Sequence, residues 1–316
     1  MTLSEGAKVI VETCMGIKPN ENVLIITTKR FSKKAKLLAE QAELLGANTN
    51  ILTVDNEVLL SEPPEAIAKK MRESDVVLAT LNLTTIQYFL QTNARNAAIQ
   101  KGARVAAVPY IRTDITKEDV YKITELTEKL GEILTNGSEA RISTNAGTNL
   151  VMSIKDRVSA LLRVRHVVPG AFGAVPDYAE ACIAPIEDKT EGIAIIDVFF
   201  EKVGKISNPV KITIENGRAV KIEGKEEAEK IRNIIKNADE NGNVIAELGI
   251  GTNHILKQFT GTIGDKMIIG TAHIAIGKSL NIGGQVYSNI HHDGVMKKVT
   301  IEIDGQEILK DGHFTL

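Results

Sequence analysis

Tryptophan is absent from the 316 residues, aromatic side chains make up only 4%, and cysteine occurs twice. Without aromatics there is no stacking platform for nucleobases. Cys14 and Cys182 lie far apart and form no CxxC pair, which excludes a disulfide framework and a thiolate zinc site. A metal in this chain would be held through oxygen and nitrogen. An excess of one charge is also missing: Lys and Arg total 38 against 40 Asp and Glu, a formal net charge of -2. Nucleic-acid binding depends on clustered cations that neutralise phosphates, so no nucleic-acid partner is expected. No segment approaches the ~20 unbroken apolar residues of a spanning helix, so no membrane partner is expected either. The first residues, MTLSEGAKVIVETC, place Glu5 ahead of the apolar stretch and lack a basic start and a small-residue cleavage site. The cytoplasm is the expected compartment.

What is present is an ordinary globular composition, 43% hydrophobic and 25% charged. At roughly 100–200 residues per domain, the length points to two domains. The first 135 or so residues alternate short apolar runs with amphipathic stretches, the rhythm of a parallel sheet covered by helices. Val23 to Thr28, Asn50 to Val54, Asp75 to Thr80 and Arg104 to Pro109 read as its strands. Ser32 is expected to cap a helix in which Ala35, Leu38, Ala39, Ala42 and Leu45 recur at helical spacing and which Gly46 ends. The turn after the first strand is Thr28-Lys29-Arg30-Phe31-Ser32, with neither a G-x-G-x-x-G nor a G-x-x-x-x-G-K-[ST] pattern, so nucleotide binding is not inferred.

A helix from about Lys117 to Leu134 is followed by Asn136-Gly137-Ser138, where a domain boundary is expected. Beyond it the chain becomes strand-rich: Ala140 to Thr144, Leu150 to Lys155, Gly192 to Phe200 and Val210 to Ile214. Asn216-Gly217 and Asp304-Gly305 each separate two such runs and predict tight hairpins, because both residues of the pair tolerate positive φ. One helix, about Lys225 to Ala238, interrupts the strands. The predicted architecture is α/β: an open parallel-sheet, Rossmann-like domain over residues 1–136, then a β-rich α+β domain over 137–316.

Histidine carries the chemical information. Of six, His166, His254 and His313 stand apart and read as ordinary surface or hydrogen-bonded residues, whereas His273, His291 and His292 fall within twenty positions, with Asp293 beside them. If Ser288 to Gly294 is extended, His291 and Asp293 point to one face and His292 to the other. Such a pair offers an imidazole nitrogen and a carboxylate oxygen to one Zn, Co, Mn or Fe(II). A turn in which Asp293 simply precedes Gly294 explains the same residues equally well. His273 sits inside the apolar run Ile268 to Gly277, and Glu247 inside Val244 to Gly251. A buried imidazole needs a partner and a buried carboxylate needs a counter-charge, and one cation satisfies both. Spacing does not single out Glu180, nor does it distinguish Glu187, Asp188 and Glu191 from solvated surface carboxylates.

Five ordered segments between about residues 140 and 296 resemble the thermophilic metalloaminopeptidases of the aminopeptidase T and aminopeptidase S type. Ala146-Gly147-Thr148-Asn149-Leu150, with Arg157 following, is similar to that family's Gly-Thr-Asp-Leu entry, with Asn149 in place of Asp. Pro176 to Pro185 aligns Glu180 with the first metal-binding glutamate, and Ala246 to Asn253 aligns Glu247 with the second. Ala272 to Gly277 and Ile290 to Asp293 complete the series. The resemblance implies a divalent-metal site of Glu180, Glu247, His273, His291 and Asp293, and a homodimer. Three departures stand out: the chain is shorter than those peptidases, Tyr178-Ala179 replaces a small Gly before the first glutamate, and Leu280 occupies the place of a family tyrosine that assists hydrolysis. The 2,5-dihydroxypyridine 5,6-dioxygenases are a shorter, related group using one iron, in which the positions of His273, His291 and Asp293 would form a two-histidine, one-carboxylate face.

The first expectation is therefore a hydrolase acting on a small-molecule or short-peptide substrate, with two Zn, Co or Mn ions activating water, Glu247 as bridge or general base, and Lys278 near the oxyanion. The alternative is ring cleavage by one Fe(II), with Glu180 or Glu247 as the acid–base residue. A third is a metal- or ligand-binding relative without catalysis.

Overall fold

The computed structural model describes residues 1–82 and 88–316, which form two compact units. Each unit draws on two stretches of chain: Met1–Thr124 with Leu162–Tyr178, and Glu125–Leu161 with Ala179–Leu316. This differs from a single cut after residue 136. The helix Lys117–Asn136 runs from one unit into the other, and Phe172–Ala174 returns to the first unit because the edge strand Arg104–Ala107 still has free backbone groups to pair.

The first unit is a five-stranded parallel sheet in the order Asn48–Thr53, Asn22–Thr27, Val76–Thr80, Arg104–Ala107, Phe172–Ala174. Its central strands, NVLIIT, VVLAT and RVAA, are buried nearly throughout, as expected of a parallel sheet covered on both faces. The edge strand NTNILT is largely exposed and polar. Ser32 does not cap its helix. A 3-10 turn over Lys29–Phe31 leads directly into Ser32–Leu44, so Ser32 is already helical and its side chain does not cap the helix. The first helix has instead a capping box, in which Thr2 Oγ1 accepts from the Glu5 backbone N–H and the Glu5 carboxylate accepts from that of Thr2.

The second unit packs two antiparallel sheets face to face. One has eight strands, and both predicted hairpins lie in it: Asn216 and Gly217 adopt φ 49° and 70°, Asp304 and Gly305 adopt 51° and 81°. The other has seven, and its centre is the run Glu180–Ile183, Ile245–Gly251, Ala272–Gly277, His291–Met296. Alternation along these four strands decides which side chains do what. Ala181, Ile183, Leu248, Ile250, Ala272, Ile274, Ile276 and Met296 join Ile142, Leu150, Met152, Ala194, Ile196 and Ile212 of the facing sheet in one hydrophobic core. The residues between them point the other way and carry the candidate chemistry. Among the described residues no helix is long and apolar enough to cross a membrane.

Candidate metal centre

Glu180, Glu247, His273, His291 and Asp293 come together on the non-core face of the seven-stranded sheet, contributed by four neighbouring strands. Side chains that all project from one face of a flat ladder would ordinarily crowd one another, and small residues prevent this. Gly251 lies opposite Glu180, Gly249 opposite His273, Gly277 opposite His291, and Ala275 stands between Glu247 and Asp293. The space freed by the missing side chains is filled by the functional groups. His292, one residue out of phase, points to the other side, with Nδ1 3.5 Å from Glu201 Oε2.

Glu247 is the hub. Its Oε1 is 3.1 Å from His273 Nε2 and its Oε2 is 3.0 Å from His291 Nε2. His291 Nε2 is also 3.5 Å from Asp293 Oδ1, and His273 Nε2 is 3.6 Å from Glu180 Oε2. Two sets of ligand atoms lie within 4.8 Å of one another, Glu180 with Glu247 and His273, and Glu247 with His291 and Asp293. The trio His273, His291 and Asp293 is thus gathered in one cluster, but Glu247 intervenes between its imidazoles.

Four of these groups are withdrawn from solvent, Glu180 being 1% exposed, Glu247 2%, His273 0% and Asp293 2%, while His291 is partly exposed. Glu180 Oε2, Asp293 Oδ1 and His273 Nδ1 make no hydrogen bond although buried. Unsatisfied buried acceptors of this kind are costly unless a cation is their partner. The donor set is all nitrogen and oxygen, which suits a divalent transition ion. His291 is oriented for ligation: its Nδ1 is 2.7 Å from the Lys278 carbonyl oxygen, which can only accept, so Nδ1 carries hydrogen and Nε2 faces the cluster. Lys278 contributes its backbone carbonyl to this arrangement.

Lys266 was not singled out by sequence. It lies in the 3-10 turn Ile263–Met267 and reaches Glu180 Oε1 at 2.9 Å and Asp293 Oδ2 at 3.0 Å. Gly251 admits this turn, since a Cβ there would lie 2.6 Å from the Lys266 carbonyl oxygen and 2.3 Å from that of Ile268. In sequence Lys266 follows Gly264-Asp265 and looks like a solvated loop lysine. The only hint was the surplus of three carboxylates over any fixed cation.

The electrostatics follow from this packing. Burial opposes the Lys266 ammonium, but Asp293, Glu180 and Glu247 outweigh it and hold its pKa well above the usual value. Burial likewise works against the charged forms of His291 and Glu247. The carboxylates of Asp293 and Glu247 beside it nevertheless raise His291, while hydrogen bonds from His273 and His291 keep Glu247 well below the ordinary range. Glu180 is different: burial raises its pKa despite the attraction of Lys266 and His273.

The other sequence-flagged residues lie elsewhere. Asn149 begins a strand of the eight-stranded sheet and is exposed. Arg157 donates to the Gly283 carbonyl at 2.9 Å and to Glu187 Oε2 at 2.6 Å, tethering the loop that carries Leu280, so Glu187 is a structural ion-pair partner. Leu280 is 51% exposed on the 3-10 turn Leu280–Ile282. His166 belongs to the first unit, and His313 is exposed in a short terminal strand.

Residues 7–316 match the sequence profile of the 2,5-dihydroxypyridine 5,6-dioxygenase family. Among solved structures, the fold is similar to 2,5-dihydroxypyridine dioxygenase from Pseudomonas putida KT2440 (TM-score 0.78, 16% identity, covering 99% of this chain and 96% of that one). It is also similar to AmpT, the aminopeptidase T of Thermus thermophilus (TM-score 0.64, 14% identity, 99% of each chain covered). No curated protein matches in sequence at a significant level.

Proposed function

The chain belongs to the 2,5-dihydroxypyridine 5,6-dioxygenase family, and from that membership we propose that it is an Fe(II)-dependent enzyme that opens the ring of a dihydroxylated nitrogen heteroaromatic with molecular oxygen. This places the iron reading ahead of the hydrolase expected first from sequence. The observation that carries it is the convergence of two imidazole Nε2 atoms on a single carboxylate, Glu247, with Asp293 beside one of them.

The residues that would hold the iron are His273, His291 and Asp293, with Glu247 adjacent to both rings. When bound, the iron supplies oxygen activation and coordination sites at which a chelating diol can be held. The chain's own groups do the rest. The Lys278 carbonyl keeps the His291 ring turned toward the cluster. Lys266 supplies positive charge where an anionic substrate or product would gather. Glu180 takes the acid–base role in preference to Glu247, because its Oε2 is bound by no donor whereas both Glu247 oxygens face imidazoles.

A second reading, two-metal hydrolysis at a peptide amino terminus, is favoured by one feature: two ligand sets sharing Glu247. The test is direct. Protein purified without chelator, loaded anaerobically with Fe(II) and mixed with 2,5-dihydroxypyridine and oxygen, is expected to consume both and lose the ring absorbance. Absence of oxygen uptake, together with hydrolysis of aminoacyl amides by the Zn-, Co- or Mn-loaded protein, would overturn the reading.

A further inference from the structure

His291 begins the strand His291–Met296 and pairs with Gly277, the last residue of the neighbouring strand. On the other side Phe199 and Phe200 reach only Val295 and Gly294, and the Glu201 N–H bonds the Asp293 carbonyl at 2.9 Å. Among the described residues, His291 therefore has a ladder partner on one side alone. Strand ends held in this way are the first to fray. Yet the His291 ring has to keep one orientation for its Nε2 to face the cluster.

The support comes from outside the sheet. Asp239, in the loop after the helix Glu226–Lys236, accepts from the Ser288 hydroxyl at 2.8 Å through Oδ1 and from the Asn289 backbone N–H through Oδ2. Its own N–H donates to Asn289 Oδ1 at 3.3 Å. Ser288, buried at 3% exposure, extends the contact, because its Oγ accepts from the Ile290 N–H at 3.3 Å. The Ile290 carbonyl accepts from the Lys278 N–H at 2.8 Å, and the Lys278 carbonyl accepts from His291 Nδ1 at 2.7 Å. An unbroken run of hydrogen bonds thus ties a carboxylate to the ring. We propose that Asp239 is a positioning residue for His291: through Ser288 and Ile290 it fixes the backbone of Lys278, whose carbonyl aims the imidazole Nε2 at the metal site. A carboxylate suits the task because its two oxygens take three donors at once, the third being the Asn241 N–H at 3.0 Å. Groups one step removed from a metal ligand set its orientation in this way.

The inference rests on the reading of this cluster as a metal site, but one of its two readouts needs no metal. In metal-free protein the His291 Nδ1–H proton, identified by its loss in His291→Ala, is followed by NMR for exchange with water. It is expected to be protected in the wild type and to exchange roughly tenfold faster in Asp239→Ala and in Ser288→Ala, as the loss of about one hydrogen bond implies. Zn(II) affinity, measured by competition with a chromophoric chelator, is expected to fall roughly 10–100-fold in both variants. Glu187→Ala loosens the same loop at Gln285, away from this run, and is expected to change neither readout. Thermal melting checks that the variants fold. A folded Asp239→Ala protein with both readouts at wild-type values would overturn the proposal. So would a Glu187→Ala protein that shifts them as far, since Asp239 would then only support the loop. If Asp239→Ala does not fold, Ser288→Ala decides by the same measures. Wild-type protein that binds no Zn(II) would overturn the metal reading, and the proton exchange would still decide whether Asp239 positions the ring.

Discussion

Gly249 stands directly across the antiparallel ladder from His273, and a Cβ built on it would come within 2.1 Å of the imidazole Cε1 and 2.3 Å of Nε2. The position of the imidazole therefore depends on the absence of a side chain on the neighbouring strand. Gly249→Ala should push the ring off its place, at a cost of about 1–3 kcal/mol from overpacking. Urea denaturation measures the loss. Metal retention should fall in parallel, and a variant with wild-type stability and metal content would show that the ring has room to move.

His291→Ala should abolish metal retention and activity under either enzymatic reading. The loss in affinity should exceed the roughly 10–100-fold that follows removal of an outer-shell partner, because His291 offers its ring nitrogen directly to the cluster. Equilibrium dialysis followed by metal analysis gives the value. Metal content unchanged from the wild type would remove this site from consideration.

Leu280→Tyr restores the residue type of the resembling peptidases at the matching position. Leu280 is exposed on a surface turn tethered by Arg157, so the change should alter stability by no more than about 0.5 kcal/mol. It should confer no aminopeptidase activity. Appearance of aminoacyl-amide hydrolysis in the Zn- or Co-loaded variant would favour the two-metal reading.

His166 should make the first unit sensitive to acid. Burial, aided by the positive charge of Arg163, lowers its pKa from 6.5 to about 4. The neutral ring is thus preferred in the folded state, and its contribution is fully present above pH 6.5. It is lost as the pH falls from there through about 4, because the unfolded chain takes up a proton that the folded chain refuses. A shift of this size corresponds to about 3 kcal/mol. Denaturant melts at pH 7.5, 6 and 5 should show stability falling more steeply for the wild type than for His166→Gln. Equal slopes would mean the ring titrates normally in the fold.

Much of this molecule could be read before it was seen. The three central parallel strands of the first unit were visible because a strand buried on both faces must be apolar along its whole length. The two hairpins were visible because Asn216-Gly217 and Asp304-Gly305 satisfy a local dihedral requirement. Glu247 and His273 drew attention as polar residues in apolar runs, and the structure brings both into one cluster. What escaped was non-local. Ser32 looked like a cap because its side chain suits one, but the preceding turn had already started the helix. The return of Phe172–Ala174 to the first unit depends on an open sheet edge made more than sixty positions earlier.

From its residues alone, this chain specified the alternation that sends His291 and Asp293 to one face of their strand and His292 to the other, since the period of a strand is a local property of the backbone. Strand order, however, is a matter of pairing between distant segments. Only the folded sheet set Gly249 against His273 and Gly251 against Glu180, and only it delivered Lys266 into the midst of three carboxylates. A lysine in a loop has no intrinsic partner; burial among unpaired acids, which tertiary packing alone imposes, gives it one.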